Sequence, residues 1–344
     1  MKRWQKAISY TVLVFGALIA AGITATVGWR PILGPRSRAL TNRTFDPTPP
    51  RLARGEYLTK AVTPCLVCHS EVDTKNLWTV NPGKLGAGQR WIEPELPWVT
   101  APNITPDRVT GAGAWSDDAI ARAVREGIGH DGRTLFPMMP YSRFRVMSDE
   151  DVAAIVTYIR TLRPVHNPLP PSAIPFPVSR LINSAPQPIE GPIPEPDLST
   201  PEKRGRYIAA IAVCEDCHTP RDDKNQPMED MAFAGGNVMR IEGNAPITTA
   251  NLTTSQDGIS YYTEQTFVEA LRTGQVRGRQ LSNVMPWQFY RHMTDEDLRA
   301  VFAYLKTVRP VDHYVDNALA PTKCPRCGQV HGGGDRNKKA SASP

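Results

Sequence analysis

Three cysteine pairs punctuate the chain at C-x-x-C spacing, and two of them run straight into histidine: Cys65-Leu-Val-Cys68-His69 and Cys214-Glu-Asp-Cys217-His218. Two thiols three residues apart on a short helical turn can add to the two vinyl groups of one porphyrin. The following imidazole then reaches the iron from below. C-x-x-C-H is therefore the attachment signal for c-type haem. A redox disulfide and a zinc half-site are the rival chemistries. The first calls for a βαβ setting and the second for another ligand pair at suitable spacing, and neither is evident around these motifs. The expectation is two covalently bound haem c groups, with thioethers at Cys65, Cys68, Cys214 and Cys217 and axial imidazoles at His69 and His218.

A haem iron left with an open sixth position can bind substrate or peroxide, whereas a filled one transfers electrons. An internal repeat addresses that choice. "RGEYLTKAVTPCLVCHS" (54–70) answers "RGRYIAAIAVCEDCHT" (204–219), and "MMPYSRFRVMSDEDVAAIVTYIRTLRPV" (138–165) answers "VMPWQFYRHMTDEDLRAVFAYLKTVRPV" (284–311). Met139-Pro140 aligns with Met285-Pro286. Each of these methionines lies ten residues before an Asp (Asp149, Asp295) and 25 before a Pro (Pro164, Pro310). Met139 and Met285 are the expected sixth ligands, and a soft thioether favours Fe(II). Met138 aligns with Val284 and is expected to pack beside the ring.

The elements that must position these groups are helices. Ser148 and Thr294 read as N-caps followed by acidic first turns. Val152, Ile155, Val156, Ile159 and Leu162 then fall on one helical face, as do Leu298, Val301, Phe302, Leu305 and Val308. Shorter helices are expected at 51–62, 116–127, 202–212 and 263–273, with no convincing strand pairs. The fold class is mainly α: two tandem helical units at 51–165 and 201–312. Residues 166–200 form a Pro-rich linker, and Pro164 to Pro201 contains twelve prolines. Such a stretch is stiff and extended, and able to wrap along the units it joins. "APNITPD" (101–107) and "TANLTTS" (249–255) form a fainter repeated loop, whose Asn103 and Asn251 could bond a haem propionate or the loop backbone. Trp115, Tyr141 and Trp287 are pocket or core aromatics.

The order C-x-x-C-H, "APNITPD…TGAGAWSDD", then "DGRTLFPMMPY…SDEDVAAIVTYIRTL" resembles the class I cytochrome c superfamily. It is similar in particular to the cytochrome c subunits of membrane-bound alcohol, aldehyde and gluconate dehydrogenases. The resemblance covers most of 51–165 and, more loosely, 200–311. It implies class I cytochrome c-like domains, each folded around a His/Met haem. Those subunits usually carry three haem motifs where this chain carries two.

The third pair, in "KCPRCGQVHGGGDRN" (323–337), has Gly328 where a haem histidine would stand. Cys324 and Cys327 could close a local disulfide, or with His331 supply three metal ligands in a "CPRCG" knuckle. No fourth ligand is evident nearby. His130, His166, His292 and His313 lack repeated counterparts and read as surface or supporting residues. Residues 313–344 read as a C-terminal tail, flexible at its "NKKASASP" end.

Lys2, Arg3 and Lys6 precede an uncharged run of 23 residues from Ala7 to Trp29. That is long enough to span a bilayer. Residues 1–30 are expected to be an uncleaved membrane anchor, a cleaved signal being the alternative, and 31–50 a linker. Either reading exports the rest of the chain, which would place it on the periplasmic side of the inner (cytoplasmic) membrane. The net charge of +6, with no aromatic-interleaved basic run, argues against nucleic acid. Membrane lipid and redox proteins are the expected partners: a dehydrogenase, a quinol-oxidising complex, a soluble cytochrome or a terminal oxidase. The expected function is one-electron transfer between a donor and an acceptor at the membrane. A dihaem peroxidase or thiosulfate dehydrogenase-like enzyme is the alternative.

Overall fold

The computed structural model describes residues 3–73, 79–93, 96–240 and 245–338. Lys2 of the basic N-terminal cluster and the final residues 339–344 of the tail lie outside the described residues.

Helix α1 (Arg3–Ala25) carries the apolar run, and its large side chains, Leu13, Phe15 and Leu18 among them, are exposed. It is long and apolar enough to cross a membrane. The short α2 (Arg30–Leu33) follows. The first half then builds α3 (Pro49–Tyr57), which continues through a π-helical turn at Leu58–Val62, and α4 (Cys65–Cys68), the turn of the first haem motif. Next come an antiparallel ribbon, β1 (Gln89–Glu93) with β2 (Leu96–Ala101), and α5 (Asp117–Glu126). The short α6 (Tyr141–Phe144) and the long α7 (Asp149–Arg160) complete this half. Helix α8 (Val178–Leu181) interrupts the Pro-rich segment.

The second half repeats the plan: α9 (Pro201–Ile211), α10 (Cys214–His218), a short ribbon β3 (Val238–Met239) with β4 (Ile247–Thr248), and α11 (Glu264–Thr273). A second short ribbon, β5 (Gln275–Val276) with β6 (Arg279–Gln280), precedes α12 (Trp287–Tyr290) and α13 (Asp295–Leu305). A last ribbon, β7 (Pro321–Lys323) with β8 (Val330–Gly332), closes the described chain.

The helices fall where capping and periodicity place them. The Ser148 hydroxyl accepts from the Asp151 N–H, and Thr294 does the same for Asp297. Each half crosses its first helix over its last at a glycine. A Cβ at Gly55 would sit 1.9 Å from the Ala154 carbonyl oxygen, and one at Gly205 would sit 1.8 Å from that of Ala300. Only glycine lets α3 lie that close to α7, and α9 to α13. The ribbons differ from the expectation of no strand pairs. Most are two or three residues per strand, too short to show alternation in sequence.

Buried residues of both halves, from Leu58 and Ile155 to Ile208 and Leu298, form one continuous apolar cluster. The contacts across the joint are reciprocal. Arg54 pairs bidentately with Asp151 of its own half, at 2.7 and 2.9 Å, while the Tyr207 hydroxyl of the other half donates to the same carboxylate at 2.6 Å. In mirror fashion Arg204 pairs with Asp297 at 2.5 Å, and the Tyr57 hydroxyl crosses over to donate to it. Arg143 adds a bridge from α6 to Glu215 at 2.9 Å and Asp216 at 2.6 Å, inside the second haem motif.

Both linkers are fastened to the first half. Arg38 meets Asp118 at 2.7 Å and Glu126 at 2.8 Å, and the Thr41 N–H donates to Asp118 at 2.7 Å. The Pro-rich segment wraps as expected: Thr100 donates to Pro170 O at 2.7 Å and Asp149 N to Ile193 O at 2.9 Å.

The end of the chain corrects the expectation of a tail. Residues 313–338 fold back on the second half. The Asn317 side chain donates to Thr248 O at 2.9 Å and Gln329 to Arg221 O at 3.0 Å. Asn337 accepts from the Tyr314 N–H at 2.7 Å and returns a bond to Tyr314 O at 3.0 Å.

Candidate haem sites

Each C-x-x-C-H motif occupies one helical turn, which places both thiols and the histidine toward the interior. All four thiols are free. Burial pushes Cys68 and Cys214 up to about 12 and Cys217 to about 11, and raises Cys65 as well. Thiols held protonated in this way are poor exchange nucleophiles, which tells against a thioredoxin-like role. The turns are capped by side chains from the next segment: Trp91 Nε1 donates to Cys68 O at 3.2 Å, and Asn237 to Cys217 O at 2.9 Å.

The two histidines are held alike. His69 Nδ1 donates to Pro102 O at 2.8 Å, and His218 Nδ1 donates to Ala250 O at 2.8 Å. A carbonyl can only accept, so each ring carries its proton on Nδ1 and leaves the Nε2 lone pair for a metal. Burial lowers both imidazole pKa values against the opposing pull of those carbonyls, which keeps the rings neutral.

Asn103 and Asn251 act one step further out. Asn103 Nδ2 donates to Val165 O at 2.7 Å, and its Oδ1 accepts from Thr105 N at 2.9 Å. Asn251 reproduces this with Val311 O at 2.8 Å and Thr253 N at 2.9 Å. The loop-backbone role is the one the structure shows. These side chains pin the loops whose preceding carbonyls orient the histidines.

The methionine loops also share hydrogen bonds and backbone conformation. Met139 N donates to Phe136 O and Met285 N to Ser282 O, both at 3.1 Å. The following prolines share a backbone conformation, φ −81° and ψ 48° at Pro140 and φ −78° and ψ 49° at Pro286. Met139 and Met285 pack against the core, whereas Met138 is 37% exposed. The residue after each proline, Tyr141 or Trp287, is an aromatic with a polar atom, the Tyr141 hydroxyl or Trp287 Nε1, that is buried without a hydrogen-bond partner. A native interior rarely tolerates such atoms. Two of them at the same register position mark a missing acceptor, as a haem propionate would supply. With free thiols, ring nitrogens left open and thioethers against the core, the residues fit a covalent haem in each half.

The Tyr290 hydroxyl donates to Ala212 O at 2.6 Å. Its pKa is driven well up by burial and by the neighbouring thiols of Cys214 and Cys217 and, from the other half, Cys68.

The remaining histidines divide. His130 is exposed and stacks on Trp115 at 4.1 Å between centroids; His166 and His292 are exposed. His313 contradicts the surface expectation, being fully buried beside Cys324, Cys327 and His331. Its signal was the repeat itself. His313 stands in register with Asn167, counting from the paired "RPV". Asn167 donates to Ala87 O at 2.8 Å, just as His313 Nδ1 donates to Ala234 O at 2.8 Å.

Residues 52–163 match the cytochrome c family model. The chain is 30% identical over 280 residues to the fructose dehydrogenase cytochrome subunit of Gluconobacter japonicus, covering 76% of this chain and 54% of that one. It is 31% identical over 280 residues to the gluconate 2-dehydrogenase cytochrome c subunit of Pantoea cypripedii, covering 75% and 60%. A diheme cytochrome c-type protein of Cereibacter sphaeroides is 29% identical over 254 residues, covering 72% and 83%. The chain thus spans little more than half the length of the two dehydrogenase subunits. Residues 52–163 form a cytochrome c domain, and the chain as a whole is similar to the cytochrome c subunits of sugar, sugar-acid and alcohol dehydrogenases.

Proposed function

We propose that this chain is a membrane-anchored dihaem cytochrome c that passes single electrons from a membrane-bound dehydrogenase to a respiratory acceptor. The observation that carries the reading is the matched pair of sites. In each half a histidine has its Nδ1 proton committed to a carbonyl, and a Met-Pro loop ends at an orphaned polar atom. Haem c bound at each site supplies reversible one-electron Fe(III)/Fe(II) chemistry. Cys65, Cys68, Cys214 and Cys217 hold it by thioethers. His69 and His218 would offer Nε2, and Met139 and Met285 their sulfur, as ligands to the iron. A histidine and a methionine from the chain at each iron would leave no position for substrate, which favours a carrier over a peroxidase. Tyr141 and Trp287 would donate to the propionates of the bound groups. Helix α1 serves as the anchor, with both haem sites on the periplasmic face. The similarity to cytochrome subunits of dehydrogenases supports a dehydrogenase as the donor.

The test is purification of the full chain from membranes, with haem counted after denaturation. Two covalent haems per chain, reduced by a copurifying dehydrogenase in the presence of its substrate, are expected. One haem, or rapid peroxide turnover by the purified chain alone, would contradict the proposal.

A further inference from the structure

The C-terminal segment brings four soft ligands together outside both haem motifs. The ligand atoms of His313, Cys324, Cys327 and His331 all lie within 4.8 Å of one another, and all four residues are buried. Cys324 Sγ is 3.5 Å from His313 Nε2. In a tetrahedral zinc site, with Zn–S of about 2.3 Å and Zn–N of about 2.0 Å, the S···N edge is about 3.5 Å. His313 donates from Nδ1 to Ala234 O, so its Nε2 is free to coordinate. His331 Nε2 is buried with no hydrogen-bond partner. Both thiols are free, and the Cys327 N–H points back at Cys324 Sγ at 3.5 Å. The turn between them closes with Gly328 at φ +75°, where its N–H reaches Cys324 O at 3.0 Å. β7 and β8 hold the ends of this knuckle, pairing Thr322 with His331.

We propose that His313, Cys324, Cys327 and His331 bind one Zn²⁺ in a closed tetrahedral Cys₂His₂ site. Four protein ligands leave no open position, so the role is structural rather than catalytic. The ion fastens residues 313–338 to the second half at Ala234. The next residue, Gly235, donates its N–H to His218 O at 2.7 Å. In the first half the equivalent carbonyl, Ala87 O, is held by the Asn167 side-chain amide at 2.8 Å. The change from asparagine to histidine at this register position keeps the staple and adds a ligand. Zinc suits the donor set because it takes two thiolates and two imidazoles tetrahedrally without redox chemistry.

The experiment uses the full-length haem-loaded chain purified without added metal. Elemental analysis should give one zinc per chain, separate from the iron. Zinc-edge X-ray absorption should show two sulfur and two nitrogen ligands at about 2.3 and 2.0 Å. His313→Asn restores the first-half arrangement, and so is expected to keep its iron while losing zinc about tenfold or more. Cys327→Ser should lose zinc likewise. If either variant fails to accumulate, the absorption spectrum of the wild-type chain decides alone. Wild-type chain without zinc, with Cys324 and Cys327 joined in a disulfide, would overturn the proposal. So would a His313→Asn chain that keeps its zinc, or a zinc edge dominated by oxygen ligands. The zinc and iron counts are independent, so failure here leaves the haem reading untouched.

Discussion

Met138 and Met139 are neighbours in one loop, and the chain treats them differently. Met139 lies against the core in the same turn as Met285, while Met138 is 37% exposed. The register of the repeat already separated them, because Val284 can fill space and cannot ligate. Met138→Ala is therefore expected to leave the visible and near-infrared spectra unchanged. The orphaned donors give a second residue-scale prediction. Tyr141→Phe removes a hydrogen bond to an ionised acceptor and should destabilise the haem-loaded protein by about 2 kcal/mol. Thermal unfolding checks this. If the acceptor is absent, the change should be neutral or stabilising. Single residues also show where sequence reasoning ran out. His313 sits eleven positions before Cys324, outside any C-x2-C-x3-H pattern, and its role follows from a fold-back that composition does not announce.

At the level of elements, the long helices were readable because cap, charge and apolar spacing agree. Ser148 with its acidic first turn and Val152, Ile155 and Ile159 on one face leave little choice for α7. The ribbons were not readable. Strands of two or three residues, as in β3 to β8, carry no period. The glycine crossings make a sharp prediction. Gly205→Ala forces α9 off α13, because its Cβ would meet the Ala300 carbonyl at 1.8 Å. It should cost about 3 kcal/mol in denaturant unfolding. The strap at residues 38–45 depends on acid. Burial opposes the charge of Asp118, but Arg38 and the Thr41 N–H outweigh it and hold the carboxyl at about 2, below its ordinary 3.8. A depressed carboxyl stabilises fully above its unfolded value and loses that contribution as pH falls through the folded one. The strap should stay protected at pH 5 and become open to pepsin as pH approaches 2.

For the molecule as a whole, the reciprocal pairs Tyr57–Asp297 and Tyr207–Asp151 make the two halves one body with a shared core. The duplication was legible in sequence. The joint was not, because each aspartate is explained locally as a helix first-turn acid, and its second partner comes from the other repeat. Tyr207→Phe keeps the Arg54–Asp151 ion pair and deletes the bonds its hydroxyl makes across the joint, to Asp151 and from the Ser148 N–H, so it should cost about 2 kcal/mol of unfolding free energy while both haems stay attached. The account stands or falls on both irons being closed by methionine. Near-infrared magnetic circular dichroism of the oxidised full-length chain measures this directly through the methionine-to-iron charge-transfer band. Met139→Ala and Met285→Ala should each remove about half of that band, and the double variant all of it. An unchanged band in Met139→Ala, or a wild-type spectrum showing an open or bis-histidine iron, would contradict the account.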